Sequence, residues 1–567
     1  MADYPILAGE PLLPKPTPSQ LPKNVETCHE LIGQLQADMR QMQARIDWLS
    51  RKLFGRSSER AAAGELEFFG QPLESAPNHN DNPESATEAD AAPQAPDGEA
   101  PQARRPGGGR RKLPADLPRR RLVYDIPEAA KVCGECGHEK KLIGQTLTEQ
   151  LEYIPASMFT IEHVQLKYAC PHCQAGVVQA EKPAQPIEKC LAGPGLLAQV
   201  IVSKYGDHAP LYRQEAILAR HGAQLSRSLL CQWAMLSAEA LSPVVKAMTE
   251  QVLRSHVVAT DDTPVDVQVR GEAGPGNHQG RLWVYLGDAL RPYTIYDFSW
   301  TRGGEHPEKL LGDFGGIVLA DAYAGYDRLF KRPGGPTEAG CNAHARRYFF
   351  EARQDQPVLA ARVLRLYKKL YAVEREAKEK WPALREAAPD PGALAAAAAG
   401  RLELRKRRSR PVMKALKKTL EIIQRRGDVL PKSPLGKAIQ YGLGHWRALT
   451  YFLGDGQIEA DNNQSERAIR GVCISKKNWM HLGSRRGGRA AAVLFSLVQS
   501  ARRHGIDPFV YLRDLLTRLP THPQNRIPEL FPDHWKRLAA SAAAEVAGAG
   551  QFAEAPSAAS FETSIPS

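Results

Sequence analysis

Three acidic motifs in the second half of the chain lie where predicted strands or a predicted helix begin or end. One apolar strand is predicted to end at Asp261 and Asp262, and a second ends abruptly at Asp321. Glu466 lies in the second turn of a predicted helix that Asp461 can cap. An acid that follows an apolar strand has its stem held by the core and its carboxylate at the edge of the sheet. The pattern predicts a mixed helix and sheet core with carboxylates gathered at one edge.

Such a carboxylate set suits phosphoryl transfer. Cleavage of a phosphodiester requires neutralisation of charge on the attacking and the leaving oxygen, which two Mg²⁺ ions about 3.5–4 Å apart provide. Mg²⁺ prefers oxygen ligands and retains several waters. Each acid also has a simpler interpretation. A lone Asp after a strand is usually a turn residue, and Glu466 could pair with Arg470 four residues later.

The remaining segments of this half predict the fold class. Segments 281–287 and 293–298 are predicted to form an antiparallel meander with the strand before Asp261. Residues 351–440 have Leu, Val and Ala spaced among charged residues, which is typical of helices. We therefore expect a multidomain α+β chain with a helical insertion between the second and third acidic motifs.

Two CxxC pairs predict a metal site. Cys133 and Cys136 form the first pair and Cys170 and Cys173 the second, with 33 residues between the pairs. Each pair can present two thiolates to one ion from a tight turn, so the four predict a structural Zn²⁺ in a zinc ribbon. The long gap leaves open four unrelated buried cysteines. A redox role is disfavoured because neither pair opens a helix after a strand.

The overall charge predicts an anionic partner. The 567 residues include 75 Lys and Arg against 63 Asp and Glu, a net charge of +12. This balance favours nucleic acid or an anionic membrane surface. The sequence contains no run of about 18 apolar residues, so no membrane span is predicted. The first residues lack the pattern of a secretory signal. Nine cysteines, an odd number, fit a reducing cytoplasm.

The N-terminal region is predicted to contain a coiled coil and a charged linker. Within residues 24–55, apolar side chains recur in alternating steps of four and three, which is the pattern of a coiled-coil seam. An amphipathic helix packed on its own domain has the same pattern. Residues 65–100 carry nine acids and no Lys or Arg, whereas 104–121 have a net charge of +7. The basic segment is either an arm that contacts phosphates or a solvated linker.

A helix pair follows the cysteine-containing region. Helices are predicted at 211–220 and 226–235, separated by a short turn that contains Gly222, and Ser226 is a suitable N-cap. This is the pattern of a helix-turn-helix, in which Arg227 and Gln232 would face DNA. Many ordinary helix pairs share it.

The acidic motifs belong to a larger set: Asp261-Asp262-Thr263-Pro264, Asp321-Ala-Tyr-Ala-Gly-Tyr326, Cys341-Asn-Ala-His-Ala-Arg-Arg347, Asn463-Gln-Ser-Glu466-Arg-Ala-Ile-Arg470 and Lys477-Asn-Trp479. With these motifs the chain resembles the DDE transposases of the insertion-sequence-66 family. The resemblance implies an RNase H-like core in which Asp261, Asp321 and Glu466 are catalytic and bind the metal ions. It also implies an N-terminal region that binds terminal inverted repeats. Family members usually have Asp-Glu-Thr-Pro at the first motif, so this chain departs from the pattern at Asp262.

One long basic run then becomes a candidate DNA contact. Residues 401–426 hold eleven Lys and Arg against two Glu, a net charge of +9, and include Arg407 and Arg408. The functional interpretation is contact with transposon DNA. The alternative is an exposed, solvated helix face.

Two shorter basic clusters lie in the motifs themselves. Arg346 and Arg347 follow a predicted strand at 340–341 and could steady scissile phosphates. The alternative is the start of a surface helix. Lys476 and Lys477 lie close to Trp479, which could stack on a base but is more typical of a core residue.

The predicted function is DNA transposition, with cleavage of transposon ends and strand transfer into target DNA. The predicted partners are DNA, a second copy of the chain through the coiled coil, and accessory proteins of the same element. No membrane is involved, and the expected location is the bacterial cytoplasm at the nucleoid. Two alternatives remain: a non-catalytic zinc and helix-turn-helix regulator, and an RNase H-like nuclease that cuts without joining.

The predicted domain boundaries are a disordered tail (1–23), the coiled coil (24–55), an acidic linker with the basic arm (56–121), the zinc ribbon (122–190), the helix-turn-helix region (191–250), the first part of the core (251–350), the helical insertion (351–440), the second part of the core with C-terminal helices (441–515) and a tail (516–567).

Overall fold

A computed structural model describes residues 158–168, 178–271 and 274–538, together with nine single residues: Gln36, Met39, Met42, Arg121, Lys131, Glu135, His138, Glu139 and Leu147. The chain divides into two compact units, one formed by Ser57–Thr160 and the other by Met1–Arg56 with Ile161–Ser567. All the elements below belong to the second unit. The four cysteines of the predicted zinc ribbon lie outside the described residues, as do most of the predicted coiled coil and linker.

The described part of the chain contains eight strands. They are β1 (Lys167–Tyr168), β2 (Val178–Gln179), β3 (Val257–Gly271), β4 (Gly274–Leu286), β5 (Thr294–Ser299), β6 (Ile317–Ala320), β7 (Thr337–Gly340) and β8 (His481–Leu482). β1 and β2 form a separate antiparallel pair. The other six form one mixed sheet.

The six-stranded sheet has the order β5-β4-β3-β6-β7, and β8 pairs with the later half of β3. β3, β4 and β5 are antiparallel to one another in sequence order, which confirms the predicted meander. β6 runs parallel to β3, and β7 runs parallel to β6. The long strand β3 is therefore central, with antiparallel neighbours on one side and parallel neighbours on the other.

Helices account for most of the remaining described residues. They are α1 (Pro194–Tyr205), α2 (Leu211–Arg220), α3 (Arg227–Val252), α4 (Glu305–Leu311), α5 (Asp327–Lys331), α6 (Asn342–Glu351), α7 (Pro357–Lys380), α8 (Pro391–Leu404), α9 (Arg410–Gln424), α10 (Pro434–Gly444), α11 (Trp446–Thr450), α12 (Asn463–Trp479), α13 (Arg485–Arg503) and α14 (Pro508–Arg518). A π-helical turn, Arg405–Ser409, joins α8 to α9. None of the helices in these described ranges is long and apolar enough to cross a bilayer.

The pleat of β3 and β6 divides the core into two clusters. Side chains alternate between the two faces of a sheet. Val258 and Val318 lie in one cluster, which contains residues of α1–α3, α13 and α14. Val257 and Leu319 lie in the other, which contains residues of α6, α7, α9 and α10. At the start of β3 and along β6, consecutive residues therefore face different sets of helices. The same alternation directs the side chains of Asp261 and Asp262 to opposite faces of the sheet.

The predicted helix pair is present at its start, but its second helix is much longer than expected. Gly222 has a φ of +87° in the turn, and Ser226 caps α3 by accepting the N–H of Leu229 at 3.3 Å. The predicted end near residue 235 is wrong, because α3 continues to Val252. Apolar residues keep a helical spacing along its whole length, and its buried face packs in the same cluster as Val258 of the sheet.

The strand that carries Asp261 and Asp262 does not end at these acids. β3 continues to Gly271 because β4 pairs with it residue by residue, from Ala259 opposite Leu286 to Gly271 opposite Gly274. The prediction failed because a pair of acids usually marks the end of a buried strand. Here only the parallel neighbour β6 ends at the level of the acids, whereas the antiparallel neighbour β4 continues beside β3.

Two arginines of the basic run 401–426 are buried. Arg401 is 1% exposed and Arg405 is fully buried. Arg405 donates to both carboxylate oxygens of Glu374 on α7, at 2.8 and 2.7 Å, and Arg401 donates to Glu459 at 3.0 Å. Burial alone would raise the pKa of Glu459, but the charges of Arg401 and Lys378 lower it to about 2.

The prediction of one exposed basic face is therefore wrong at Arg401 and Arg405. Glu459, the partner of Arg401, lies 58 residues away in the sequence, and Glu374, the partner of Arg405, lies 31 residues away. The resulting ion-pair network connects α7 and α8 of the helical insertion to the segment before α12.

Replacement of Arg405 by Ala should destabilise the protein by about 3–5 kcal/mol, because it removes the arginine that binds both oxygens of the buried Glu374 carboxylate and leaves this acid with Arg401 alone. Urea unfolding provides the measurement. The matched control is Arg407→Ala, which removes an exposed arginine of the same turn and should change stability by no more than about 0.5 kcal/mol. Equal, small effects of both substitutions would contradict the network.

Candidate active site

The pairing of β3 with β6 places Asp261 beside Asp321. The parallel register ends with Ala259 opposite Leu319, and its continuation by two residues brings the two acids level. Adjacent strands lie about 4.8 Å apart. By the same alternation, both acids lie on the face that the insertion helices cover. Two of the three predicted acids are thus neighbours at the carboxyl edge of the parallel strands.

The turn after β6 holds Asp321. The strand ends at Ala320, as predicted, and Ala322 adopts a left-handed φ of +64°. The backbone N–H of Tyr323 donates to Oδ1 of Asp321 at 3.2 Å, and the hydroxyl of Tyr441 on α10 donates to the carbonyl oxygen of Asp321 at 3.1 Å. The turn is therefore fixed both locally and by the helical insertion.

The N-terminus of α12 brings Glu466 to β3. Asn462, which precedes the helix and is fully buried, donates from Nδ2 to the carbonyl oxygen of Thr260 at 2.7 Å, one residue before Asp261. Glu466 lies in the first turn and not in the second. The predicted cap was displaced by one residue, because Asn462 occupies the cap position and Asp461 precedes it.

A lysine predicted to contact DNA anchors the other end of α12. The half-buried ammonium of Lys476 donates to the carbonyl oxygen of Pro264 at 3.0 Å and to the hydroxyl of Thr263 at 3.3 Å. Its neighbour Lys477 is exposed. Of this predicted pair, Lys477 alone is directed to solvent, and Lys476 holds the helix on β3.

Asp261 is buried and lies within electrostatic reach of the other acids. Burial raises the pKa of Asp261 to about 7, against the effect of the Asp262 N–H, which donates to its Oδ1 at 2.8 Å. The negative charges of Asp321, Asp262 and Glu466 add to the rise in this pKa. Like charges held together in a buried place favour protonation or a bound cation.

Helix α6 contributes two further groups at Glu466. Nδ1 of His344 lies 3.6 Å from Glu466 Oε1, and Nη2 of Arg347 lies 3.8 Å from Oε2. Among the described residues, no ion pair joins Glu466 to Arg470, so the simpler interpretation of this acid is not supported. Glu466 Oε1 and His344 Nδ1 are buried atoms that have no hydrogen-bond partner in the described part of the chain. Such atoms mark a site arranged for an added group.

Cys341 lies next to this pair. One donor atom each of Cys341, His344 and Glu466 lie within 4.8 Å of one another. Burial raises the pKa of the Cys341 thiol to about 12, and its Sγ accepts the N–H of Asn462 at 3.2 Å. A thiol that stays protonated is a poor metal ligand. Cys341 therefore serves to hold the start of α12.

Asp262 lies on the opposite face of β3, where two arginines bind it. Its side chain is 3% exposed. Arg281 donates to one oxygen at 3.0 Å, and Arg302 donates to the other at 2.9 Å. The guanidinium of Arg302 also lies 3.9 Å from the ring centroid of Tyr323, two residues after Asp321. The acid that departs from the family pattern therefore braces the turn that carries the second acid.

The other residues predicted to contact DNA lie on the surface. The exposed members of the set are Arg227, Gln232, Arg346, Arg347, Arg407 and Arg408. Arg408 forms an ion pair with Glu376 on α7. Arg347 lies at the carboxylate site, whereas the described contacts of Arg346 place its guanidinium near the ring of Phe350.

Sequence analysis missed the buried asparagines that position the acids. Asn342, at the start of α6, donates from Nδ2 to the carbonyl oxygens of Leu449 and Ala460, each at 3.0 Å. Asn462 has the equivalent role at α12. An Asn at a helix start normally indicates an exposed cap, so residue type alone does not reveal their burial. The one available signal was their position, since Asn342 lies within one quoted motif and Asn462 directly precedes another.

The two adjacent acids of β3 should respond oppositely to amidation. Because its pKa is raised, Asp261 favours folding fully below about pH 4 and loses that contribution as the pH rises to about 7. In EDTA at pH 8, Asp261→Asn should therefore raise the melting temperature, with little effect near pH 4. Asp262→Asn should lower the melting temperature at pH 8, because Arg281 and Arg302 lose their charged partner. The corresponding loss in the free energy of unfolding should be about 2–3 kcal/mol. Calorimetric melting at both pH values is the measurement, and the same sign for both variants at pH 8 would contradict this division.

Family models match most of the chain. The model of the IS66 transposase family matches residues 189–490, and that of the IS66 C-terminal element matches residues 496–532. The zinc-finger binding domain of IS66 transposases matches residues 130–174, which include all four predicted cysteine ligands. A model described as Transposase C of IS166 homeodomain matches residues 41–122.

Two proteins of Sinorhizobium fredii show the extent of the relationship. The uncharacterized protein y4hP is 33% identical over 527 residues, which cover 88% of this chain and 89% of that protein. The uncharacterized protein y4qI is 35% identical over 425 residues, which cover 72% of this chain and 74% of that protein. Because the family model matches more than half of its length, the chain belongs to the IS66 family of transposases.

Proposed function

We propose that this chain is the transposase of an IS66-type insertion sequence, which binds the terminal inverted repeats, cleaves the DNA at the ends of the element and joins the ends to target DNA. The convergence of Asp261, Asp321 and Glu466 carries the proposal. A DNA-binding regulator has no need of three acids brought together against their mutual repulsion.

The catalytic core in this proposal is RNase H-like. Its support is the strand order β5-β4-β3-β6-β7, in which three antiparallel strands are followed by two parallel ones. The first acid lies on the central strand, the second follows the adjacent parallel strand and the third lies on a later helix. The helical insertion separates the second acid from the third in sequence and covers the face on which they meet.

Asp261, Asp321 and Glu466 would hold two Mg²⁺ ions. Carboxylate oxygens are the ligands that Mg²⁺ prefers, the raised pKa of Asp261 marks uncompensated negative charge, and Glu466 Oε1 is a buried acceptor without a partner among the described residues. When bound, the ions neutralise charge on the attacking and leaving oxygens of a phosphodiester. Asp262 is no candidate ligand, because both of its oxygens are bound by arginines.

The proposed reaction consists of two displacements at phosphorus. Hydrolysis at the end of the element consumes one water, breaks a P–O3′ bond and leaves a 3′-hydroxyl and a 5′-phosphate. That hydroxyl then attacks a phosphodiester of the target and displaces its 3′-oxygen. No covalent bond between protein and DNA forms, so no Ser or Tyr nucleophile is required. Arg347, about half exposed beside Glu466, is placed to pair with a non-bridging phosphate oxygen.

Other regions of the chain would position the DNA and the protomers. The exposed start of α3, with Arg227 and Gln232, would contact the inverted repeats together with the basic arm. The segment 24–55 would pair two protomers so that both ends are handled together. Its described residues are helical, and the side chains of Met39 and Met42 are 66% and 56% exposed, as an unpaired apolar seam would be. Accessory proteins of the same element remain part of the proposal.

Asp321→Asn and Glu466→Gln should each reduce Mg²⁺-dependent cleavage of an end-containing duplex by at least about 10³-fold, beyond the loss expected from a single stabilising group. Binding of the same duplex should be unchanged. The matched control is Asp327→Asn, which removes an exposed acid six residues after Asp321 and should leave cleavage intact. Cleavage retained by either active-site variant would overturn the assignment.

The same assay separates the alternatives. Joined products in the presence of target DNA distinguish a transposase from a nuclease that only cuts. Specific binding of wild-type protein without any cleavage would favour the regulator.

The IS66 zinc-binding domain at residues 130–174 should hold one Zn²⁺ per chain through Cys133, Cys136, Cys170 and Cys173. After purification without chelator, elemental analysis should find about one zinc in the wild type and almost none in Cys136→Ser. Cys231→Ser, at an exposed free cysteine, is the control and should retain the metal. Absence of zinc from the wild type would remove this part of the proposal.

A further inference from the structure

A basic groove lies between α9 and the segment 446–455, outside the carboxylate site. Its volume is about 620 Å³. Arg410, Lys414 and Lys417 line it from α9, and Arg447 lines it from the other side. All four cations are exposed. Three of these cations belong to the basic run 401–426, whereas Arg447 lies outside it and outside the quoted motifs.

The packing of α9 fixes the direction of its three groove cations. Met413, Leu416, Leu420 and Ile423 are buried along one side of the helix against the insertion core. Arg410, Lys414 and Lys417 are four and three residues apart, so they form a line on another side of the helix. Along the axis they are spaced by about 6 and 4.5 Å. A line of positive charges on a helix suits a polyanion whose negative charges are regularly spaced.

The charge of the groove is largely uncompensated. Among the described ion pairs, none involves Arg410, Lys414 or Arg447. The Nζ of Lys417 lies 4.0 Å from Oε1 of Glu421. The groove contains one acid, Asp455, but its carboxylate is already occupied. Nε2 of His256 lies 2.5 Å from one of its oxygens, and the N–H of Gln457 donates to the other at 2.7 Å.

Several other cations of the basic run have acidic partners. Arg401 and Arg405 are buried in the network with Glu374 and Glu459, and Lys406 pairs with Glu403. The structure thus separates cations with a structural role from cations that face an open groove. The second group retains the charge for an external polyanion.

The walls of the groove favour the backbone of DNA over its bases. Trp446 and Tyr451 are half-buried and supply flat apolar surface beside the cations. The hydroxyl of Thr450 donates to the carbonyl oxygen of Trp446 at 2.8 Å and is therefore not available as a donor to a base. Point charges and apolar walls contact phosphates and sugars, which position a duplex without reading its sequence.

The groove is connected to the carboxylate site. The hydroxyl of Tyr441 on α10 donates to the carbonyl oxygen of Asp321, and Arg447 follows six residues later on α11. Asn342 also bonds the carbonyl oxygen of Leu449 from the first turn of α6, the helix that carries Arg347. One wall of the groove, α11, is therefore in contact with the helix that carries Arg347.

We propose that Arg410, Lys414, Lys417 and Arg447 form a sequence-independent binding site for the sugar-phosphate backbone of duplex DNA flanking the cleaved phosphate. This site rests on the proposed function, since it positions the substrate of that reaction. It differs from the predicted DNA contact over 401–426, because it excludes the buried arginines and adds Arg447 and the aromatic walls.

The test is the salt dependence of duplex binding. Each phosphate contact contributes about 0.9 to the slope of log K against log salt concentration. The full-length triple variant Arg410→Gln, Lys414→Gln, Lys417→Gln should therefore have a slope smaller than the wild type by about 2–3. Arg447→Gln alone, from the opposite wall, should reduce it by about 0.9. Both losses should be equal for an end-containing duplex and for a duplex of unrelated sequence.

A matched control removes the same charge elsewhere on the insertion. Lys368, Lys369 and Lys437 are exposed and lie outside the groove, so their triple Gln variant should keep the wild-type slope. An unchanged slope in the groove variants, or an equal loss in the control, would overturn the site. A loss confined to the end-containing duplex would overturn its sequence independence. These outcomes are distinct from failure of the proposed function, in which wild-type protein binds DNA but does not cleave it.

Discussion

The burial of Asp261 close to Asp321 and Glu466 is the constraint on which the rest of this structure depends. Burial raises the pKa of Asp261 to about 7, and the charges of Asp321, Asp262 and Glu466 add to the rise, so this carboxylate is kept in place at a cost. Backbone contacts provide the restraint. Strand pairing sets the first two acids level, and Asn462 ties the helix of the third to the carbonyl oxygen of Thr260.

The alternation of side chains along β3 gives two adjacent acids different surroundings. Asp261 faces the insertion helices and the other acids, whereas Asp262 faces Arg281 and Arg302 in the opposite direction. The second contact also supports the turn after β6, because Arg302 packs on Tyr323. The substitution of Asp for the usual Glu at this position therefore falls on a structural residue. Its shorter side chain remains long enough for both guanidinium groups.

The helical insertion has two roles that its composition does not separate. Arg401 and Arg405 form ion pairs and hydrogen bonds inside the protein and hold the insertion to the segment before α12. Lys414 and its neighbours on α9 present their charge to an open groove. A net charge of +9 over 401–426 is compatible with either arrangement. The difference depends on whether an acid from another helix, such as Glu374, comes within reach.

The sequence by itself determined the elements and the three acids, because apolar periodicity and the chemistry of carboxylates are local properties. The meander, the turn at Asp321 and the helical insertion were all predicted in this way. Only the tertiary structure decided that β3 continues past Asp262, that Lys476 anchors a helix and that Arg405 is buried. Each of these depends on a partner far away in the chain: β4, the carbonyl oxygen of Pro264 and Glu374. Burial and pairing are properties of the folded arrangement, and no local pattern specifies them.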